Sequence, residues 1–230
     1  VKAAAQDGRG PLVCRARMAV FATGVDYNLH AKTGLDCPSD FLHGAQIELN
    51  TEQDGHTTIF VGKNIAPGAF AWAVPAGPKR IRVGLLARKA PRHYLRRLLE
   101  RHNGDQWDCP DDCRIRLKPV AQGLMNKTAG DRVIALGEAA GQVKTTTGGG
   151  IYFGLLCSEI AAETIETGMK QESFSAAVLS RYESRWKAAL KKEILLGYYA
   201  RKICASLSDR QVERIFHIAQ NDGIIPIVRS

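Results

Sequence analysis

One contiguous stretch, Asp131 to Gly154, constrains this 230-residue sequence more than any other. Residues 133–136 (Val-Ile-Ala-Leu) are a short apolar run of the kind that forms a strand buried on both faces. Gly137 ends the run, where the chain can turn and where backbone can come close to a ligand. Glu138 follows at once and sets one carboxylate just past the carboxyl end of the strand, where open parallel sheets hold their ligands. A polar loop over 142–147 leads to Gly148-Gly149-Gly150 and then to residues 151–167, rich in Ala, Leu, Glu and Ile at helical spacing. A helix that starts on glycines leaves its first N–H groups unpaired and unshielded. The helix dipole adds partial positive charge, so the place suits an anion or an electron-rich carbonyl.

The chain before this stretch has a different pattern. Residues 12–17 and 18–22 predict strands, the second ending at Ala22-Thr23-Gly24. Residues 44–50 and 57–61 alternate apolar with polar side chains, and 69–75 and 81–87 add two short strands joined by a turn. Four strands with turn-length connections describe an antiparallel sheet. Within it the period of two puts Phe70, Trp72 and Val74 on one face. Such a row suits the wall of an apolar substrate channel or an ordinary sheet core. Residues 91–103 predict a basic helix with Tyr94, Leu95, Leu98 and Leu99 on one face. Residues 113–120 alternate Ile115 and Leu117 with Arg114, Arg116 and Lys118, and lead back to the strand at 133.

Beyond the glycine-rich helix, residues 174–207 predict one long helix or two abutting ones. Val178, Tyr182, Trp186, Leu190 and Ile194 recur there at spacings of four. Ser208-Asp209-Arg210-Gln211 is a capping-box sequence that opens a final helix through Ile218. The outer face at 181–192 carries Arg181, Arg185, Lys187, Lys191 and Lys192. That face suits solubility, or a dock for an anionic membrane surface or a substrate phosphate.

The formal net charge of +9 points to an acidic partner: nucleic acid, anionic lipid or a phosphorylated substrate. Nothing reads as a nucleic-acid motif, and basic residues do not interleave with aromatics, so no nucleic-acid partner is expected. No apolar run approaches the roughly 20 residues that cross a bilayer. The six cysteines are scattered, with Cys109 and Cys113 the one close pair. A zinc site wants two such pairs or nearby histidines, so no metal is expected. Two unrelated loop cysteines, a loop disulfide and a redox pair all remain open readings of that spacing. The scatter points to a reducing, cytoplasmic compartment, with peripheral membrane contact allowed.

The string Leu136-Gly-Glu-Ala-Ala-Gly141, followed by Gly148-Gly-Gly-Ile151, resembles the third flavin-binding motif of p-hydroxybenzoate-hydroxylase-like FAD enzymes. Its longer form, through Gln-Val-Lys-Thr-Thr-Thr to Tyr152, is most similar to the geranylgeranyl reductase branch. The resemblance implies an α/β chain, α+β overall. Its parts would be the end of an FAD-binding domain (1–40), an antiparallel substrate-binding subdomain (41–125), an FAD-binding strand, loop and glycine-rich helix (126–170) and a C-terminal helical region (171–230). Gly24, Gly137, Glu138, Ala140, Gly141, Gly148, Gly149, Gly150 and Ile151 would contact FAD. Glu138, one methylene longer than the family's usual Asp, would hold a ribityl hydroxyl.

The family also carries a Tyr-x-Trp-x-Phe-Pro pattern associated with its lipid substrate. Here Phe70-Ala-Trp-Ala-Val-Pro75 stands in its place, so Phe70, Trp72, Val74 and Pro75 are the expected substrate residues. The implied activity is reduction of isolated double bonds in an isoprenoid lipid or isoprenyl diphosphate, with FAD reduced by NADPH or a ferredoxin-like donor. No His, Ser or Cys reads as a nucleophile with a paired base, which suits chemistry carried by a cofactor and leaves no catalytic side chain named. A flavin monooxygenase or halogenase of the same fold is the alternative enzyme. A non-catalytic, membrane-associated electron-transfer flavoprotein is the alternative of another class. No Gly-x-Gly-x-x-Gly follows a strand, and Gly8-Arg9-Gly10 lacks both the strand before and the helix after. Enzymes of this class set the FAD pyrophosphate on that first turn, so the expectation is an N-terminally truncated chain.

Overall fold

The computed structural model describes residues 2–3, 12–13, 15–51, 55–102, 107 and 114–221. The strands and helices are, in order, β1 (Lys2–Ala3), β2 (Leu12–Val13), β3 (Ala19–Phe21), α1 (His30–Thr33), β4 (Asp40–Asn50), β5 (Thr58–Val61), β6 (Phe70–Pro75), β7 (Arg80–Ala87), α2 (Pro91–Arg101), β8 (Arg116–Gln122), β9 (Ala129–Gly130), β10 (Val133–Ala135), α3 (Ile151–Lys170), α4 (Ala176–Ser206) and α5 (Asp209–Asn221). The chain divides into two compact units. The first takes Val1–Pro38, Leu124–Lys144 and Gly149–Ile194; the second takes Ser39–Gly123, Thr145–Gly148 and Leu195–Ser230. The helix expected over 174–207 is one continuous helix, α4, and each unit takes part of it. Cys14, Cys109, Cys113, Gly8, Gly10 and the tail after 221 lie outside the described residues.

In the first unit β10 pairs parallel with β3, Val133 opposite Ala19 and Ala135 opposite Phe21, and antiparallel with β9. All three β10 residues are buried, as an apolar run without polar alternation requires. The strand expected over 12–17 is only Leu12–Val13, paired with β1. Behind the sheet, Phe153, Cys157, Ile160 and Ala161 of α3 share a core with Leu179, Tyr182, Trp186, Leu190 and Ile194 of α4. The four-residue spacing on α4 thus marks a buried stripe, although Val178 at its start is only half-buried. Trp186 is fully buried and its indole N–H donates to Thr128 Oγ1 at 2.9 Å. Glu183, three residues earlier, accepts the backbone N–H groups of Thr128 and Ala129. Burial pushes its pKa up, but Lys187 and Thr128 more than offset this and hold it below the ordinary value. One helix therefore fixes the backbone entering the β9–β10 turn.

The second unit is a five-stranded antiparallel sheet in the order β5-β6-β7-β4-β8. Four of its strands are those expected; the fifth, β8, comes from the stretch expected only to lead back to residue 133. It pairs with β4 from Asp40 opposite Gln122 to Gln46 opposite Arg116. Ala45, Ile47, Leu49, Ala71, Ala73, Val83 and Leu85 face Leu95, Leu98 and Leu99 of α2 and form the core. Phe70, Trp72 and Val74 take the opposite face and are half-buried, so the row is not the sheet core. Gly84 stands across from Trp72, and a Cβ there would lie 2.5 Å from the indole Cζ2. Only a residue without a side chain fits under that ring. The capping box forms: Ser208 N–H donates to Gln211 Oε1 at 2.8 Å and Gln211 N–H returns to Ser208 Oγ at 3.3 Å.

Candidate functional site

The first unit builds its site from backbone. Leu136 is extended, with φ −137° and ψ 145°, and Gly137 turns sharply at φ 66°. That left-handed value suits glycine, and a Cβ there would meet nothing within 4 Å, so the turn faces open space. Gly137–Ala140 make one 3-10 turn that Gly141 closes at φ 68°. Ala139 and Ala140 are buried, while Glu138 is only half so. A Cβ built on Gly24, at φ 63°, would lie 3.9 Å from Glu138 Oε2. The turn after β3 and the carboxylate after β10 are thus brought together, as neighbouring parallel strands require. The Tyr27 hydroxyl donates to the Glu138 carbonyl at 3.2 Å. Burial, then the Glu138 charge, raises the Tyr27 pKa and keeps that phenol neutral.

A buried chain of hydrogen bonds holds this turn. Gly137 N–H donates to Gln142 Oε1, Gln142 Nε2 donates to the Tyr182 hydroxyl, and that hydroxyl donates to the Ala135 carbonyl, each at 2.8 Å. Burial raises the Tyr182 pKa, so the phenol keeps the proton it donates. A fully satisfied buried network makes a turn rigid. Sequence reading missed both residues. Gln142 looked like a loop residue, and Tyr182 looked like one more member of an apolar stripe.

The start of α3 lies beside the same turn, for a Cβ on Gly154 would come 3.8 Å from Gly137 Cα. Gly150 is the N-cap, with φ −120° and no side-chain cap. The first helical hydrogen bond runs from Gly154 N–H to the Gly150 carbonyl at 2.8 Å. The N–H groups of Ile151, Tyr152 and Phe153 therefore have no helix carbonyl to meet. The donor site sits one to three residues later than the glycines on which it was expected. Ile151, Tyr152 and Leu155 are large, apolar and exposed beside it. Gly148 belongs instead to the second unit, at φ 76°, where a Cβ would lie 3.0 Å from Leu86 Cδ1. The first unit thus gathers Gly24, Gly137, Glu138, Ala140, Gly141, Gly149, Gly150 and Ile151. Its carboxylate can accept from a hydroxyl, and its helix start can donate to an electron-rich carbonyl.

The second unit builds its site from side chains. A cavity of about 610 Å³ is lined by Ile59 and Val61 of β5, Phe70 of β6, and Thr146 and Thr147. Cys204 of α4, Leu207, and Val212, Ile215 and Phe216 of α5 complete its mostly apolar wall. Of the expected substrate residues Phe70 alone lines it. Trp72, Val74 and Pro75 do not: Trp72 leans on Phe70, centroids 5.8 Å apart, and covers Gly84. The helices stand over the Phe70 end of the row, a placement no strand pattern contains. Arg201 also borders the cavity with 6% of its surface exposed. Its Nη1 donates to the Gly68 carbonyl at 3.3 Å, and Nη2 lies 3.6 Å from Asp40 Oδ2. Its buried Nε and Nη2 have no hydrogen-bond partner among the described residues. Burial lowers its pKa and the Asp40 charge opposes this. The Asp40 carboxyl, pushed up by burial, ends below its ordinary value because Arg88 and Tyr198 hydrogen-bond it.

No protein-family model matches the chain. A digeranylgeranylglycerophospholipid reductase 2 of Methanothermobacter thermautotrophicus is 32% identical over 91% of this chain and 56% of its own length. Its namesake in Methanopyrus kandleri is 29% identical over 94% of this chain and 58% of its own length. The likeness is to the geranylgeranyl reductase family, over about nine-tenths of this chain. A solved geranylgeranyl bacteriochlorophyll reductase-like protein of Thermoplasma acidophilum superposes on this chain with TM-score 0.80. The identity there is 22%, over 90% of this chain and 55% of that one, so this likeness concerns fold. The fold is p-hydroxybenzoate-hydroxylase-like, as the glycine motif implied. The chain spans about half the length of the curated relatives it matches.

Proposed function

We propose that the chain is part of an FAD-dependent oxidoreductase that reduces carbon–carbon double bonds of an isoprenoid lipid. The observation that carries this reading is the carboxylate of Glu138 beside Gly24, with the uncapped start of α3 at the open Gly137 turn. The residues present fit FAD. Glu138 would accept from a ribityl hydroxyl, Gly24, Gly137, Ala140 and Gly141 admit the cofactor's close approach, and Gly149, Gly150 and Ile151 lead the helix start to its pyrimidine edge. Bound and reduced, FAD supplies a hydride to one alkene carbon while a proton completes the other. The N–H groups of residues 151–153 would stabilise negative charge at that edge. An unactivated alkene offers no polar handle, so an apolar wall must orient it, a part suited to Phe70 and its cavity. Trp72, Val74 and Pro75 would support that wall from the same strand. NADPH or a ferredoxin-like protein would be the reductant.

The relatives' names favour reduction over oxygenation or halogenation. No helix among the described residues is long and apolar enough to cross a membrane. Ile215, Phe216 and Ile218 are exposed on α5 with Arg210 and Arg214 beside them, which supports peripheral contact with an anionic membrane on its cytoplasmic side. The test uses the intact gene product, reduced without oxygen and mixed with a geranylgeranyl lipid. The expected result is a gain of two hydrogens per double bond by mass spectrometry, with return of oxidised-flavin absorbance. If the lipid is untouched while air and an aromatic compound give a hydroxylated product, the oxygenase reading replaces this one.

A further inference from the structure

The apolar cavity has a basic neighbour within the same unit. A second cavity of about 630 Å³ is lined by Lys63, Arg88, Arg201 and Lys202, with Tyr94 and, among the described residues, no acidic side chain on its wall. The two cavities share Lys63, Gly68, Arg201 and Ala205. Arg201 is thus a common wall with an apolar space on one side and a basic space on the other. Its carboxylate neighbour, Asp40, is already engaged by Arg88 at 3.1 and 3.2 Å and by the Tyr198 hydroxyl at 3.1 Å. Lys202 Nζ stands 4.3 Å from the Tyr198 ring centroid, and Lys63 Nζ donates to the Ser206 carbonyl at 3.0 Å. Asp209 also lies beside Lys63, accepting its backbone N–H at 2.7 Å, so four cations stand against two carboxylates, and two buried guanidinium nitrogens of Arg201 have no hydrogen-bond acceptor among the described residues. A buried charged donor without an acceptor is costly, and a planar guanidinium fork matches the paired oxygens of a phosphate or a carboxylate.

We propose that Arg201, with Arg88, Lys63 and Lys202, holds the phosphate head of an amphiphile whose isoprenoid chain lies in the apolar cavity. The inference rests on the isoprenoid reading above and adds to it the anchor that fixes which end of the lipid enters. A head held at Arg201 sets the distance from the phosphate to whichever double bond reaches the reacting position. Specificity would then be measured along the chain from its charged end.

The test is calorimetric binding to the intact gene product of four probes: a C20 isoprenyl monophosphate, the matching alcohol, a phosphodiester lipid with isoprenoid chains, and inorganic phosphate. The monophosphate or the phosphodiester is expected to bind at least about tenfold tighter than the alcohol, a charge-assisted hydrogen bond or more. The ester that shows the gain identifies the source of the head. Arg201→Met should bring that ester down to the affinity the same variant shows for the alcohol. Arg88→Met, at an exposed position less able to disturb folding, should remove part of the gain. Equal binding of ester and alcohol by the wild type would overturn the phosphate anchor and leave the isoprenoid cavity standing. If no isoprenoid probe binds, the isoprenoid reading fails and the anchor with it. If inorganic phosphate binds as tightly as either ester, the basic cavity is a free-anion site and the amphiphile is wrong.

Discussion

In the first unit the candidate site is made of backbone: three left-handed glycines, a helix start and one carboxylate, braced by buried hydrogen bonds from Gln142 and Tyr182. In the second it is made of side chains from β5, β6, the Thr146–Thr147 loop and two helices, several of them half-exposed. The first arrangement suits a cofactor that must always sit the same way. The second suits a long flexible ligand that has few polar atoms and needs room more than register. Rigidity and latitude are thus assigned to different materials within one chain, and substitutions should separate them.

The largest effect is expected at the support of the first unit. Trp186→Ala removes a fully buried indole and its hydrogen bond to Thr128, and should cost about 3–5 kcal/mol in urea denaturation. A loss under about 1 kcal/mol would mean that the glycine turn does not depend on the packed core behind it. Next is Glu138→Ala in the intact gene product, expected to weaken FAD retention by about 1.5–3 kcal/mol, with Glu138→Asp tolerated. Isoprenoid binding should not move. Full flavin occupancy with lost turnover would instead make Glu138 a participant in the chemistry.

The converse substitution, Phe70→Ala, should weaken isoprenoid binding by about tenfold, since a half-buried phenyl gives up roughly half of a full burial. Flavin content should stay level, and if both ligands weaken together the contrast between the two regions collapses. Smallest is Ser208→Ala, which removes one side of the capping box and should cost about 1 kcal/mol. The expected sign is fraying of α5 by circular dichroism, with a parallel softening of isoprenoid affinity because Val212, Ile215 and Phe216 line the cavity.

The same contrast explains what could be read from the sequence. Strand, glycine turn, carboxylate and helix are neighbours along the chain, so Val133 to Ile151 announces its own geometry. Four strands of the sheet were legible from alternation and turn-length spacing, and the capping box from four residues. The cavity was not legible, because Ile59, Phe70, Cys204 and Phe216 meet only through tertiary packing. Trp72 misled for a related reason. Its face was assigned correctly, but the position along that face where helices cover the sheet is not encoded in a period of two. Tyr182 and Gln142 were overlooked because a hydrogen bond between residues forty apart leaves no local trace.

Gly84 under the Trp72 indole also has a consequence for how such a chain can vary through descent. With a ring 2.5 Å from where a methyl would sit, neither position is free to change alone. A lineage that keeps tryptophan at 72 is bound to glycine at 84, whereas one that shortens residue 72 opens a void that alanine or valine at 84 can fill. The two sites should therefore drift as a pair, and across related sequences a large aromatic at the first should predict the smallest residue at the second. Frequent tryptophan opposite a branched residue would mean that β6 and β7 slide apart to make room.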